Sequence, residues 1–212
     1  MYTNYFKYIS FFFPLFTTLN CFSQRVDTST WKAQIALGIN SPSQSGLVEG
    51  AVAKSLNFPT VNLGVQRMFS RQLGAKLDFG FNRFSSADDS PEFKINYSRI
   101  NVQLVYDLTR SLYFLPEPIG LILHTGPGLS FVKPLSNLGD NKQTYLNWNA
   151  GLEVHYSIND KVSVYTDFSY IHGFTELDNY EPQLNGLGAF NGSLINFTFG
   201  VSISLSGCQY CD

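Results

Sequence analysis

Ser193-Leu194-Ile195-Asn196-Phe197-Thr198-Phe199-Gly200-Val201-Ser202-Ile203-Ser204-Leu205 is the stretch that decides the fold. Every odd position from Ile195 to Leu205 is large and apolar, and every even one is small or polar. Successive side chains on a strand point to opposite faces. One face of this segment is therefore apolar throughout, while the other holds only Asn, Thr, Gly and Ser. A soluble sheet packs bulky residues inside and sets long charged ones outside. Here the small polar face suits a barrel interior and the apolar face suits contact with lipid.

Seven further segments carry the same kind of alternation, at about 31–40, 59–69, 72–84, 93–107, 119–131, 145–157 and 161–171. Most have ten or more residues, whereas strands of soluble proteins average about five or six. About nine to eleven residues cross a bilayer as a tilted strand. The connections alternate in length. Ser70-Arg71 and Asn159-Asp160 are short turns, while 41–58, 85–92, 132–144 and 172–192 are long and rich in Gly, Ser, Asn, Asp and Pro. Short periplasmic turns and long outer loops are the pattern of outer-membrane barrels. The expected fold is all-β, an eight-stranded antiparallel transmembrane barrel wound as an up-and-down meander, with both ends of the chain in the periplasm. Segment 108–118 breaks the rule, being too long and too apolar for a tight inner turn.

The chain has 212 residues, of which 16% are aromatic and 14% charged, with a net charge of −2. Soluble domains carry about a quarter charged residues, so the shift suits a lipid belt that excludes charge. A balance so near neutral gives no case for nucleic-acid binding. Residues 1–23 read as a secretory signal peptide. Lys7 supplies the positive region, Ile9 to Leu19 a short apolar run, and Cys21 and Ser23 the small residues before a cut at Gln24. The barrel is expected over 24–207 and a short periplasmic tail over 208–212. Nothing after Gln24 is long and apolar enough for a spanning helix, so an embedded chain must close as a barrel.

Alternation also assigns faces. Trp31, Ile35, Leu37, Leu63, Leu77, Phe79, Val102, Leu104, Trp148, Leu152, Phe168 and Tyr170 are among those expected outside. Inside, the candidate site is a lumenal polar network of Lys32, Lys76, Asp78, Arg99, His124, Glu153, His155 and Asp167. A Lys or Arg at mid-depth on the lipid face costs about 2–4 kcal/mol, which is why the strand charges sort inward. An eight-stranded barrel is just wide enough for side chains to fill it, so these groups are expected to pair as a solid core. Arg67 is the exception, placed outside beside a short turn where its charge can reach water.

Phe58-Pro59-Thr60-Val61-Asn62-Leu63-Gly64-Val65-Gln66-Arg67-Met68-Phe69, continuing through Leu73 to Phe81, resembles the membrane-barrel half of OmpA-family outer-membrane proteins of Gram-negative bacteria. Glu92-Phe93-Lys94, Tyr97 to Gln103 and Val105 to Leu108 extend the resemblance, which covers most of 30–205. It implies an outer-membrane location, lipid and lipopolysaccharide as neighbours, and surface loops open to an extracellular ligand. Such proteins often continue into a peptidoglycan-binding domain. This sequence stops at Asp212, so cell-wall tethering is not carried over.

The function expected is non-enzymatic, a structural, adhesive or envelope-integrity role through four loops. Three rivals stand beside it: a small pore, a secreted lipocalin-like binding barrel, and a lipid A hydrolase. The last rests on Glu153, His155 and Ser157 sharing a strand face, which resembles the His-x-Ser pair of outer-membrane lipid A deacylases. Against it, parity places these side chains in the lumen, beside the short turn and away from the outer leaflet. Cys208-Gln209-Tyr210-Cys211 allows a local disulfide, a tether to another molecule, or half of a metal or redox site. The disulfide is the leading reading in an oxidising periplasm. No metal or cofactor is expected.

Overall fold

Long alternating runs, with turn residues between them, become eight strands joined in chain order. A computed structural model describes residues 31–174 and 186–205. The strands are β1 (Trp31–Pro42), β2 (Asn57–Met68), β3 (Leu73–Ser85), β4 (Lys94–Asp107), β5 (Ile119–Pro134), β6 (Gln143–Ser157), β7 (Val162–Phe174) and β8 (Leu194–Ser204). Each pairs antiparallel with the next, and β8 pairs back onto β1 from Lys32↔Ser204 to Pro42↔Leu194, closing the barrel. Closure leaves no strand edge unpaired, the condition for β-structure in lipid. The eight-stranded meander expected from the sequence is the fold observed. Residues 1–30, which include the segment read as a signal peptide, the tail with Cys208 and Cys211, and 175–185 lie outside the described residues.

The faces follow the pleat. Ile195, Phe197 and Phe199 are 41–57% exposed, whereas Asn196, Thr198 and Ser202 are at most 2% exposed. Leu37, Leu77, Val102 and Phe168 likewise stand on the outer wall. The charged candidates on β3, β4, β6 and β7 are buried. Arg67 points outward at the inner rim, its guanidinium 5.3 Å from the Trp31 ring and 6.0 Å from that of Phe69.

Both strand termini and the short turns share one end, which by the loop asymmetry faces the periplasm. There Ser70 Oγ accepts from the Leu73 amide (3.0 Å), and Asn159 Oδ1 accepts from the amides of Lys161 and Val162 (both 2.9 Å). Segment 108–118 has its own order. Leu108 N donates to Leu121 O (2.9 Å), Thr109–Ser111 forms a 3-10 turn, and the buried Thr109 Oγ1 accepts from Leu121 N (2.9 Å). Its tip projects Tyr113 and Phe114, 97% and 79% exposed.

Candidate functional site

The lumen contains two layers of different chemistry. In the inner and middle part, Glu153 is the hub. It accepts from Lys76 Nζ (2.6 Å, Oε1) and from Gln34 Nε2 (3.0 Å, Oε2), and His155 Nε2 lies 2.6 Å from Oε2. Lys76 and Glu153 are 4% and 1% exposed, so water does little to screen the pair. His155 stacks on Tyr165 at 4.9 Å, and its Nδ1 is 3.1 Å from Ser163 Oγ. A second group joins Arg99 to Asp78, with Arg99 also donating to Asn101 Oδ1 (3.1 Å) and Asn62 Oδ1 (3.2 Å). A third sets His124 Nε2 3.0 Å from Asp167 Oδ1, while Ser169 Oγ donates to Asp167 Oδ2 (2.6 Å).

Seven of the eight candidates therefore lie in three contacting groups. Lys32 is the eighth and sits lower. With Asp107, Glu117, Ser157, Ser163, Ser202 and Ser204 it lines a cleft of about 110 Å³ at the inner mouth. His155 meets Ser163, from β7, and not Ser157 of its own strand, so the strand-face pairing behind the hydrolase reading is not the contact made. Among the described residues, no cluster of three or more His, Cys, Asp or Glu side chains could hold a metal ion. His172, at the start of the connection expected over 172–192, belongs instead to β7 and is exposed on its outer face, its Nδ1 3.1 Å from Ser193 Oγ.

The outer mouth is apolar. Phe84, Ile95, Tyr97, Val132, Tyr145, Ile171 and Leu194 rise from the strands and meet residues from all four outer connections. Leu47, Ala51 and Ala53 come from the first, Phe93 from the second, Leu138 from the third, and Leu187 and Phe190 from the fourth. Phe190 is fully buried, edge-on to Phe84 at 4.9 Å and to Tyr97 at 6.2 Å. The loops are also tied together by hydrogen bonds. Asn191 N donates to Gly46 O (3.1 Å), Ala87 N to Val52 O (2.8 Å), and Asn141 Nδ2 to Leu187 O (3.0 Å). Gly46 and Gly192 approach so closely that a Cβ on either would strike the other's backbone. The alternation identified the lumen but missed this cap. Its one sequence signal is the presence of isolated apolar residues (Leu47, Val48, Phe93, Leu187, Phe190) inside loops otherwise rich in Gly and Ser.

A family model described as outer membrane protein beta-barrel domain matches residues 15–204. Among solved structures, Neisserial surface protein A is similar with a TM-score of 0.55 at 13% identity, covering 82% of this chain and 96% of that one. A major outer membrane protein from Thermus thermophilus gives a TM-score of 0.54 at 11% identity, covering 82% and 97%. At such identities the likeness concerns the fold alone. Comparison with curated proteins finds no match.

Proposed function

We propose that this chain, which belongs to the outer membrane protein beta-barrel domain family, acts at the surface of a Gram-negative outer membrane as a non-enzymatic barrel. Its working part is the platform made by the four outer loops, and its role is structural or adhesive. One observation carries the reading: all four loops give side chains to the apolar cluster that stoppers the outer mouth. Ions gain nothing by entering an apolar constriction, and the buried Arg99–Asp78 pair lies beneath it. What the outside encounters is then the upper surface of a knitted cap, with Glu49, Asp88, Asp89, Glu92 and Lys54 on its connections. Lipid and lipopolysaccharide surround the wall, and an extracellular ligand would meet the cap.

Three measurements test it. Planar bilayers holding the purified barrel should show no conductance steps, and steady steps would replace this reading with the pore. Protease added to intact cells should reach the outer connections and leave the inner turns whole. Cleavage confined to Arg71 or Lys161 would invert the topology. The hydrolase predicts altered lipid A acylation in cells expressing the protein, with the change lost in Ser157→Ala. The proposal predicts no change in either strain.

A further inference from the structure

The outer wall carries a trough between β4 and β7. Antiparallel pairing sets Leu104, Thr125, Ala150 and Tyr170 in one row across β4–β7, and Tyr106, Leu123, Leu152 and Phe168 in the next row inward. Thr125 and Ala150 are small where their neighbours are large. Thr125 is also drawn onto the wall, its Oγ1 accepting from Trp148 Nε1 (2.8 Å) and lying 3.2 Å from Asn149 O. The result is a groove of about 480 Å³ lined by Leu104, Tyr106, Leu123, Thr125, Ala150, Leu152 and Phe168, over the backbone of His124 and Gly151.

The groove has a direction. Tyr106 is one residue from the inner end of β4, whereas Phe168 is six residues from the inner end of β7. A rise of about 3.3 Å per residue, on strands tilted by roughly 45°, puts Phe168 roughly 14 Å above the inner rim and Ala150, seven residues from the inner end of β6, roughly 16 Å above it. Those heights are about half to two-thirds of the ~25 Å apolar band. The trough therefore begins at the periplasmic edge and ends near mid-bilayer, spanning one leaflet. At its low end, directly after Asp107, stands the anomalous segment 108–118 with Tyr113 and Phe114 exposed at its tip. Aromatic side chains settle at the level of lipid headgroups.

We propose that this groove seats one acyl chain of a phospholipid of the periplasmic leaflet, with the Tyr113-Phe114 tip at the level of its headgroup. Three features select this occupant. The groove is continuous with the lipid-contacting wall. Its span matches the inner leaflet, which excludes the lipopolysaccharide of the outer one. Its walls are almost wholly hydrocarbon, with the Thr125 hydroxyl already engaged. The account also gives the long inner connection a purpose that a tight turn would not serve.

The test is native mass spectrometry of the full chain extracted from outer membranes in mild detergent. Wild type is compared with Ala150→Phe and Thr125→Leu, which fill the groove from two strands. Ala33→Phe adds the same bulk on the far wall, on β1. A heat-dependent gel shift establishes that each is folded. Wild type and Ala33→Phe should keep about one phospholipid per barrel, and either filling variant should lower that occupancy at least fivefold. Tyr113→Ser with Phe114→Ser should lower it at least twofold. Equal retention by wild type and both filling variants would overturn the proposal. So would a wild type without lipid, retained lipopolysaccharide, or a two-chain mass that Ala150→Phe disperses. Unchanged retention in the Tyr113/Phe114 variant would overturn the part given to the tip.

Discussion

Replacing Glu153 with Gln keeps the shape of the lumenal hub and removes only its charge. The Lys76 ammonium, 4% exposed and 2.6 Å from Glu153 Oε1, then loses its nearest counter-charge. Removing one partner of a buried pair costs about 3–5 kcal/mol, because the remaining charge is stranded. Asp78, on the same face of β3, takes up part of the deficit and pulls the expected loss toward about 3 kcal/mol. The assay is reversible urea unfolding of the barrel in lipid vesicles, read by the band that shifts on heating. With a slope of about 1–3 kcal/mol per molar, the midpoint should fall by at least about 1 M. The double variant Glu153→Gln with Lys76→Met removes both charges and should regain most of the loss. The reasoning fails if Glu153→Gln unfolds within about 1 kcal/mol of wild type. It fails equally if the double variant is no more stable than the single.

Phe190→Ala should cost about 3–5 kcal/mol, since the ring is fully buried between Phe84 and Tyr97. Bilayer recordings of the refolded variant should still show no conductance, because the Arg99–Asp78 layer lies below. Gly80→Ala should cost about 1–3 kcal/mol, because a Cβ there would sit 2.6 Å from Arg99 Nε. The same urea midpoint reads it. Phe79→Arg puts a cation at mid-depth on the lipid face and should cost about 2–4 kcal/mol, whereas Phe69→Arg at the inner rim should cost about 0–1. Equal midpoints for those two would refute the assigned depth.

Face and topology were legible because a lipid-embedded barrel writes them with a period of two. One parity rule places Ile195, Phe197 and Phe199 outside and Asn196, Thr198 and Ser202 inside, and the structure agrees. The same rule put Lys76, Asp78, Arg99 and Glu153 in the lumen, but it says nothing of who meets whom. The pairing Lys76–Glu153 joins β3 to β6, and Gln34 reaches the same carboxylate from β1. These strands are not neighbours in the ladder, so the contacts depend on curvature and strand stagger, which no local pattern encodes. The rival pairing through Ser157 meets the same limit. Sharing a face with His155 puts a serine on the same wall, yet Ser163 on the adjacent β7 is the one within reach. The cap was illegible for a different reason. Phe93, Leu138 and Phe190 are scattered singly through irregular segments, where no periodicity announces that they converge.

The lumenal contacts bear on how one register is chosen. On the outside, lipid offers every apolar residue nearly the same surroundings, so a strand displaced by two residues loses little there. A displacement by one inverts both faces. It would place Lys76 and Asp78 of β3 in hydrocarbon, at about 2–4 kcal/mol for the lysine alone near mid-depth. Slips by two are what the wall cannot reject, and there the interior decides. Moving β3 by two would take Lys76 from Glu153 and Asp78 from Arg99 together, stranding four charges at once. Arg99 is further held by Asn62 from β2, and Glu153 by Gln34 from β1. Lys76–Glu153 thus ties β3 to β6, and Arg99–Asn62 ties β4 to β2, strands that the backbone ladder connects only indirectly. A fully apolar lumen would lack that discrimination, which gives these buried charges a structural use in fixing the register.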